Sequence, residues 1–466
     1  MRTRRRLLAS SLTSLALLTA ACGDDGSTAV GEPAPVTTAP PASSKATVEH
    51  AEVDEHADEH SDEHAHSDEH DEHDHGAMSS DGVSTEDLPP GAEEVDEAAL
   101  RLLVADGSAP TVQVLDLADG LVLDTITLSG PATLTREGAG RYAIAAQRGA
   151  DRVDLIDGGS VERPHGDHSH FYAGEPSLTG AGFAAADPTH VVPNHGLVAV
   201  FDDGDGTVRL LDAAGVTTGE VIEATIASGP AHHGVAVPAG EVVIVSRAAG
   251  ELPDGVRVLR HDGTEVATFG DCPQLHGEVA THDAVAFGCA DGVLVLEGEG
   301  ETWTARKIAN PPGLAADQRV GTLHGEHDLP YAVGNLGAGA LARVDLAGGT
   351  IAALPLPLPM AAFAFHGSSG HALVITADGQ AHRVDVATGA VVASVAAVSP
   401  VALEAGHGGA PRPSIAIAGN RAYVSDPAGG AVVELGIADG ELRVARRLAV
   451  DGAPASLLVL GHRAHL

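Results

Sequence analysis

Short runs of alternating hydrophobic and polar residues, separated by glycine-containing turns, dominate the chain from Leu100 onward. The stretch that begins at Arg101, RLLVADGSAPTVQVLDLADGLVLDTITL, predicts strand, turn, strand, turn and strand. Alternation of this kind, rich in β-branched residues and bounded by Asp-Gly or Ala-Gly, is typical of antiparallel strands joined by hairpins. Long helical patterns are absent from this part of the sequence, and we therefore expect an all-β fold.

The same pattern recurs along the chain and predicts an array of four-stranded units. Copies include GLVAVFDDGDGTVRLLDAAG, HDAVAFGCADGVLVLEG and ALVITADGQAHRVDVATGAVVASV, and RYAIAAQRGADRVDLIDGG is a diverged unit. Such repeats favour a β-propeller, in which radial closure hides the edges of the sheets. We count eight units and expect eight blades, with seven as the alternative; a sandwich or two smaller barrels explain the regular repeat less well. The final ASLLVLG, from Ala455, is expected to join the sheet that begins at Arg101 and so close the ring.

Composition and charge restrict the possible partners. The chain has 466 residues, 44% hydrophobic and 3% aromatic, with 26 Lys and Arg against 65 Asp and Glu and a net charge of -39. Hydrophobic residues suffice for a large core, and the long-range field favours cations and repels phosphate. These features exclude a nucleic-acid-binding protein.

The N-terminus predicts export. Arginines precede a short apolar run that ends in small residues, as in MRTRRRLLASSLTSLALLTAAC, and this order is typical of a secretory signal. Thr19 to Cys22 resembles a bacterial lipobox, so we interpret residues 1–22 as a lipoprotein-type signal peptide and Cys22 as the lipidated residue. Cleavage nearby without lipidation is the alternative, and a twin-arginine export route stays open. We expect an extracytoplasmic protein, either anchored through Cys22 as its sole membrane contact or free in the periplasm.

Residues 23–97 have a different composition from the repeats that follow. They are first rich in Pro, Ser, Thr and Ala and then in His, Asp and Glu, and Lys45 is the only basic residue between Arg6 and Arg101. High charge with little hydrophobic surface predicts disorder, and self-repulsion extends such a linker. We therefore expect a disordered tether at 23–97 and a propeller domain at 98–466.

The centre of this tether is a potential metal-binding segment. It reads EHADEHSDEHAHSDEHDEHDH from Glu55 to His75. Some imidazoles have the i, i+4 spacing of one helical face and others the i, i+2 spacing of close pairs. Neutral imidazole suits zinc, copper and nickel, and the carboxylates raise the local cation concentration. The candidate ligands are His56, His60, His64, His66, His70, His73 and His75. An acidic solubilising spacer is the alternative.

Histidines also recur at one position of the repeats, just before the first strand of a unit. They are His190, His232, His233, His276, His324, His327 and His407. In a propeller this position lies at the mouth of the central channel, so imidazoles from distant repeats are expected to meet there. The phrase RPHGDHSHFY adds His165, His168 and His170, which could complete or gate such a site. Histidines outside this position, among them His382, are interpreted as surface residues.

Cys272 and Cys289 lie close in sequence. Export allows disulfides to persist, and a hairpin that turns near His282 would bring the two sulfurs together. We expect a disulfide, with a thiolate metal ligand as the alternative.

The chain resembles the AztD-type zinc metallochaperones, exported partners of a zinc ABC transporter that pass zinc to its solute-binding protein. The resemblance rests on the signal peptide, the His- and acid-rich segment, and the phrases HGDHSHFY, PAHHGVAV, CPQLHGEVATHDAVAFGCADGVLVL and RPSIAIAGNRAYVSDPAGG. It implies one tight Zn2+ site on the propeller and a weaker capture site in the tether. The ligand pool that it implies is His168, His170, His190, His233 and His276, with Glu278 as a carboxylate. The lipobox, the acid-interleaved tether and LHGEH in the sixth unit depart from the family pattern.

Two other classes of function compete with this interpretation. Propellers also host lactonases and quinoprotein dehydrogenases, but the sequence has no Gly-x-Ser-x-Gly motif and only Trp303 to stack a quinone. The acidic DDGDG at Asp202–Gly206 is interpreted as a turn, since the rest of a calcium loop is missing. The second competitor is a scaffold whose tether buffers metal passively. We expect a zinc carrier and no enzyme.

Overall fold

The computed structural model describes residues 88–461 except 166–167, 217, 251, 316–317, 404–409 and 439. These residues form antiparallel sheets, as the sequence predicts, with three short 3-10 helices at Arg148–Ala150, Ala213–Val216 and Gly367–Ser369. In this part of the chain we find no helix with the length and hydrophobicity needed to cross a bilayer. All of it belongs to the compact unit that begins at Met78.

Four sheets are built from the first half of the domain, with the C-terminal strand added to sheet 1. Sheet 1 contains β2 (Arg101–Asp106), β3 (Thr111–Asp116), β4 (Val122–Thr127) and β36 (Pro454–Leu460). Sheet 2 contains β5 (Thr133–Arg136), β6 (Tyr142–Gln147), β7 (Arg152–Asp157), β10 (Ser177–Leu178) and β11 (Phe183–Ala184). Sheet 3 contains β12 (Pro188–Asn194), β13 (Leu197–Asp202), β14 (Thr207–Leu211) and β15 (Ile222–Ala227). Sheet 4 contains β16 (Ala236–Ala239), β17 (Val242–Ser246), β18 (Val256–Arg260) and β19 (Glu265–Phe269).

Four sheets come from the second half. Sheet 5 contains β20 (Glu278–Ala280), β21 (Val285–Cys289), β22 (Gly292–Glu299) and β23 (Thr302–Ala309). Sheet 6 contains β24 (Leu323–His324), β25 (Tyr331–Asn335), β26 (Ala340–Asp345) and β27 (Thr350–Pro355). Sheet 7 contains β28 (Met360–His366), β29 (His371–Thr376), β30 (Gln380–Asp385) and β31 (Val391–Ala396). Sheet 8 contains β32 (Ile415–Ala418), β33 (Arg421–Asp426), β34 (Ala431–Gly436) and β35 (Arg443–Ala449).

The packing between sheets closes on itself, as a propeller requires. The second strand of each sheet is buried on both faces; in β2, for example, Leu103 packs with residues of sheet 2, whereas Leu102 packs with Tyr423 of sheet 8. Burial of one such leucine contributes about 1.5–3 kcal/mol. Strand β36 pairs with β2 from Leu460↔Arg101 onward, which confirms the expected closure by the C-terminal strand. Among the described residues, the eight sheets of four or five strands agree with eight repeats, and the number of blades stays a prediction.

A smaller sheet extends the folded chain into the expected tether. It consists of β1 (Glu93–Val95), β8 (Ser160–His165) and β9 (His168–Ala173), in the order β1-β9-β8. Residues 93–95 fall within the predicted tether, yet they pair with Phe171–Ala173. This three-residue strand is too short to show an alternating pattern, which is why composition alone assigned it to the tether. Residues 1–87 lie outside the described residues, so the signal peptide, Cys22 and the disordered tether stay predictions.

The disulfide between Cys272 and Cys289 is present, with a sequence separation of 17. Cys289 ends β21, whereas Cys272 lies in the loop before β20, rather than on the hairpin itself. Both half-cystines are fully buried. The bridge therefore ties the loop that carries His276 to the core of sheet 5.

One histidine that the sequence assigned to the surface is in the interior. His382 is only 7% exposed, and its ring nitrogens lie 3.0 Å from the Thr376 hydroxyl and 2.7 Å from the Ser394 hydroxyl. The assignment of His382 was wrong because two hydroxyl groups satisfy a buried imidazole without any ligand.

Replacing both cysteines by alanine is expected to lower the free energy of unfolding by about 3 kcal/mol, since closing a loop of this length restricts the unfolded chain by roughly that amount. Urea denaturation of the wild-type and C272A/C289A proteins measures the difference. Reducing agent should bring the wild type to the stability of the variant and leave the variant unchanged. Equal stability of the two oxidised proteins would contradict the prediction.

Candidate metal centre

Three imidazoles from consecutive sheets meet at the beginning of the inner strands. His190 lies in β12, His233 precedes β16, and His276 precedes β20. Their ring centroids are 5.2 to 5.8 Å apart. One nitrogen from each ring lies within 4.8 Å of the others, so the group could hold a metal ion. We refer to these three residues as the His190 group.

The local backbone allows this close approach. A register shift between Pro188 and His190 interrupts the pairing of β12 with β13. Next to His276, Gly277 has a φ of +78°, and a Cβ there would lie 2.4 Å from the carbonyl oxygen of Gly321. Only glycine fits such a position without strain.

Each ring of the His190 group has its Nδ1 beside an acceptor. Nδ1 of His190 lies 3.3 Å from Oε1 of Glu278, and Nδ1 of His233 lies 2.6 Å from Oδ2 of Asp203. Nδ1 of His276 donates to the carbonyl oxygen of Gly321 over 2.6 Å. Histidines that bind metals almost always donate their other ring N–H to a carboxylate or a carbonyl, which fixes the tautomer and the ring orientation. This arrangement leaves Nε2 as the ligand atom.

Burial and charge determine the protonation of the group. Burial opposes a charge on His190, but the Glu278 carboxylate outweighs it and raises the pKa of His190. Burial likewise disfavours the charge of Glu278, and the neighbouring His190 reverses this, so the pKa of Glu278 is lowered. Burial, with the charges of the other two histidines, lowers the pKa of His276. At neutral pH, His276 is therefore ready to bind, whereas His190 competes for a proton.

Glu278 supports the group rather than joining it. It is outside the set of atoms within 4.8 Å, and its Oε1 faces His190. Its Oε2 is buried and has no hydrogen-bond partner among the residues that the structure describes. A cation bound nearby would compensate this buried oxygen, so the donor set fits a divalent ion.

Sequence reasoning missed Asp203. The DDGDG stretch forms the expected turn after β13, but Asp203 is only 8% exposed and also accepts the N–H of Gly234 over 3.2 Å. Burial opposes its charge, and the hydrogen bond from His233 outweighs this and lowers the pKa of Asp203. An acidic residue directly after a strand, in the sheet next to a histidine, is the signal that could have identified it.

His324 lies close to the group without belonging to it. It is in β24, and its ring packs against Phe363 with centroids 4.7 Å apart. Burial lowers the pKa of His324 to about 4, although the charge of Glu278 opposes the shift. His324 is therefore neutral at physiological pH.

Three imidazoles, once deprotonated, with an open fourth position are a ligand set that zinc accepts. Imidazole also suits copper and nickel. Since each ligand must lose its proton, binding of the ion competes with protonation.

A second group of three imidazoles lies on the hairpin β8–β9. Nitrogens of His165, His168 and His170 lie within 4.8 Å of one another, and Nδ1 of His165 is 3.2 Å from Nε2 of His170. Nδ1 of His170 lies 2.6 Å from Oε1 of Glu94 in β1. This group is more exposed than the His190 group.

The structure therefore divides the ligand pool that the resemblance implied. His190, His233 and His276 meet, whereas His168 and His170 join His165 on the hairpin. His232 is buried against Phe201, and its ring nitrogens lie 2.9 Å from the Pro230 carbonyl and from the Ser246 hydroxyl. His407 and the candidates between His56 and His75 lie outside the described residues.

No protein-family model matches the chain. The zinc chaperone AztD of Citrobacter koseri is 30% identical over 310 residues, which cover 65% of this chain and 73% of that protein. The crystal structure of Citrobacter koseri AztD superposes with a TM-score of 0.73 at 29% identity, over 79% of this chain and 100% of that chain. The structure of apo AztD from the same organism gives 0.71 at 28% identity, with the same coverage.

A more distant structure supports the fold alone. The dihydro-heme d1 dehydrogenase NirN in complex with DHE has a TM-score of 0.54 at 17% identity, over 79% of this chain and 76% of that chain. Identity this low carries no information about chemistry.

Replacing any one of His190, His233 and His276 by alanine is expected to weaken zinc binding by more than the 10- to 100-fold typical of a lost outer-shell partner. Competition titration with a chromophoric chelator, on a chain without residues 50–75, measures the affinity. His195→Asn removes an exposed imidazole elsewhere and serves as the control. An unchanged tight equivalent in all three alanine variants would refute this assignment.

Glu278→Gln is expected to reduce the number of protons released when zinc binds near neutral pH. The carboxylate raises the pKa of His190, so in the pH range just above the ordinary histidine pKa the wild type must expel a proton that the variant no longer holds. Calorimetric titration in buffers of different ionisation enthalpy counts the protons. Equal release by the two proteins would show that Glu278 does not control His190.

Proposed function

This chain belongs to the AztD family of zinc chaperones, and from that premise we propose that it is an extracytoplasmic metallochaperone that captures zinc and transfers it to the solute-binding protein of a zinc ABC transporter. The observation that carries the proposal is the convergence of His190, His233 and His276, each with its Nδ1 beside an acceptor. Zinc is here the cargo, and the protein has no need to transform it.

The His190 group suits an ion that must be held and then released. Three imidazoles leave one position of a tetrahedral ion open to water or to an incoming ligand. A ligand of the acceptor can enter that position before an imidazole leaves, so the ion never has to dissociate into solution. Asp203 and Glu278 keep two of the rings aligned during the exchange.

Capture is assigned to the more exposed histidines. The segment from His56 to His75 combines imidazoles with carboxylates, which attract hydrated cations. The His165, His168 and His170 group, supported by Glu94, offers a second exposed set of ligands. Exposed ligands exchange their ion readily, as an initial capture site requires.

Export through the signal at 1–22 and lipidation of Cys22 complete the proposal. A lipid anchor would hold the carrier at the membrane, where an ABC transporter and its solute-binding protein meet. A propeller enzyme and a passive metal-buffering scaffold are the competing functions. The kinship with a protein named a zinc chaperone favours the carrier over both.

The test is the rate of zinc transfer from the loaded protein to the zinc-free solute-binding protein. Direct transfer predicts a rate that rises with acceptor concentration and exceeds the rate of loss to a chelator that does not dock. A chain without residues 50–75 should transfer from the His190 group at the same rate but load more slowly at low zinc concentration.

Two outcomes would contradict the carrier. A transfer rate equal to the chelator rate and independent of acceptor concentration would favour passive buffering. Turnover of a lactone or an alcohol by the purified protein, lost with the His190 group, would favour the enzyme.

A further inference from the structure

A pair of imidazoles lies beyond the opposite ends of two inner strands that begin near the His190 group. His282 follows β20, and His327 follows β24. Their ring centroids are 5.1 Å apart and the rings are nearly perpendicular, at 85°. The backbone N–H of His282 donates to the carbonyl oxygen of His327 over 2.8 Å. The pair is therefore held together by the main chain of two neighbouring sheets.

Both rings have the carboxylate support that is typical of metal ligands. Nδ1 of His282 lies 2.7 Å from Oδ1 of Asp283, and Nδ1 of His327 lies 3.3 Å from Oδ1 of Asp328. Each contact engages Nδ1 and leaves Nε2 as the ligand atom. Each histidine thus has its partner next to it in sequence, a pattern that the His-Asp phrases at 282–283 and 327–328 repeat.

A cavity of about 450 Å³ adjoins the pair, lined among others by Thr281, Glu297 and Leu329. The carboxylate of Glu297 accepts hydrogen bonds from Arg306, so it does not compete for the imidazoles. The side chain of His282 is 69% exposed and that of His327 is 30% exposed. Solvent therefore reaches the pair, and a hydrated ion fits beside it.

We propose that His282 and His327 form an additional, weaker binding site for a divalent cation of the zinc, copper and nickel class, with water completing the coordination. Two imidazole ligands select this class over magnesium or calcium, which prefer oxygen ligands. Asp283, Asp328 and the net charge of the chain favour a cation over an anion. With two protein ligands instead of three, the site binds more weakly than the His190 group and exchanges its ion faster.

The site is independent of the His190 group and of the proposed transfer function. None of its ligands belongs to that group, and it lies past the other ends of β20 and β24. It would exist whether or not the protein delivers zinc to an acceptor.

Residue-specific carbethoxylation of the full mature chain tests the proposal. Diethyl pyrocarbonate modifies accessible imidazole nitrogens, and peptide mass spectrometry measures each histidine with and without zinc. We expect zinc to protect His282 and His327 together, at a concentration above that which protects His190. His195, an exposed histidine with no described partner imidazole, should stay reactive and is the internal control.

Variants separate this site from the metal centre. In His282→Asn, His327 should lose its protection, and the reverse should hold for His327→Asn. Changing His190, His233 and His276 to alanine should leave the protection of His282 and His327 intact. The proposal is overturned if both residues stay fully reactive at saturating zinc, or if the protection of His327 persists in His282→Asn.

Discussion

The packing of every sheet against both of its neighbours is the constraint on which the rest of the structure depends. Successive residues of one strand, such as Leu102 and Leu103, face different neighbouring sheets, so neither sheet can shift without opening a buried surface. This packing fixes the second strand of each sheet, and the second strand fixes the inner one through its hydrogen bonds. The beginnings of β12, β16 and β20 consequently converge, although 85 residues lie between His190 and His276.

Buried carboxylates make this convergence useful for binding a cation. Asp203 and Glu278 would be costly to bury alone, since a charge in a dry environment must be paired or neutralised. Each instead faces a ring of the His190 group and keeps a lowered pKa. The acids thus orient the imidazoles and supply negative charge to the region before any ion arrives. The same pairing makes metal binding depend on pH, because the acid that aligns His190 also raises the pKa of that ring.

The sequence predicted those features that are encoded by a repeated or local pattern of residues. Period-two alternation predicted the sheets, and the terminal ASLLVLG predicted the pairing of β36 with β2. The phase of the histidines within the repeats predicted that imidazoles of distant repeats would meet, as His190, His233 and His276 do. The same phase also included His232, His324 and His327, which do not belong to that group. The sequence did not predict Asp203, the carbonyl of Gly321 or the separation of His168 and His170 from the other histidines. Those depend on which loop of one sheet contacts the start of the next, and no local pattern encodes such contacts. The strand at residues 93–95 was not predicted for a similar reason, since β1 forms by pairing with the distant strand β9.

The described groups of histidines differ in exposure and in the number of imidazoles, and both differences affect how an ion could move between them. The His190 group has three partly buried imidazoles, whereas the group on the β8–β9 hairpin has three imidazoles of which two are exposed. The pair at His282 and His327 has two imidazoles. An ion meets water sooner when it leaves either exposed set, and it also loses fewer ligands when it leaves the pair at His282 and His327. Affinity should therefore rise from the exposed sets to the His190 group, so that an ion collected at the surface moves toward the buried group without an energy source. Release from that group then requires a competing ligand at the open position, which is the role that an acceptor protein can perform and water alone performs poorly.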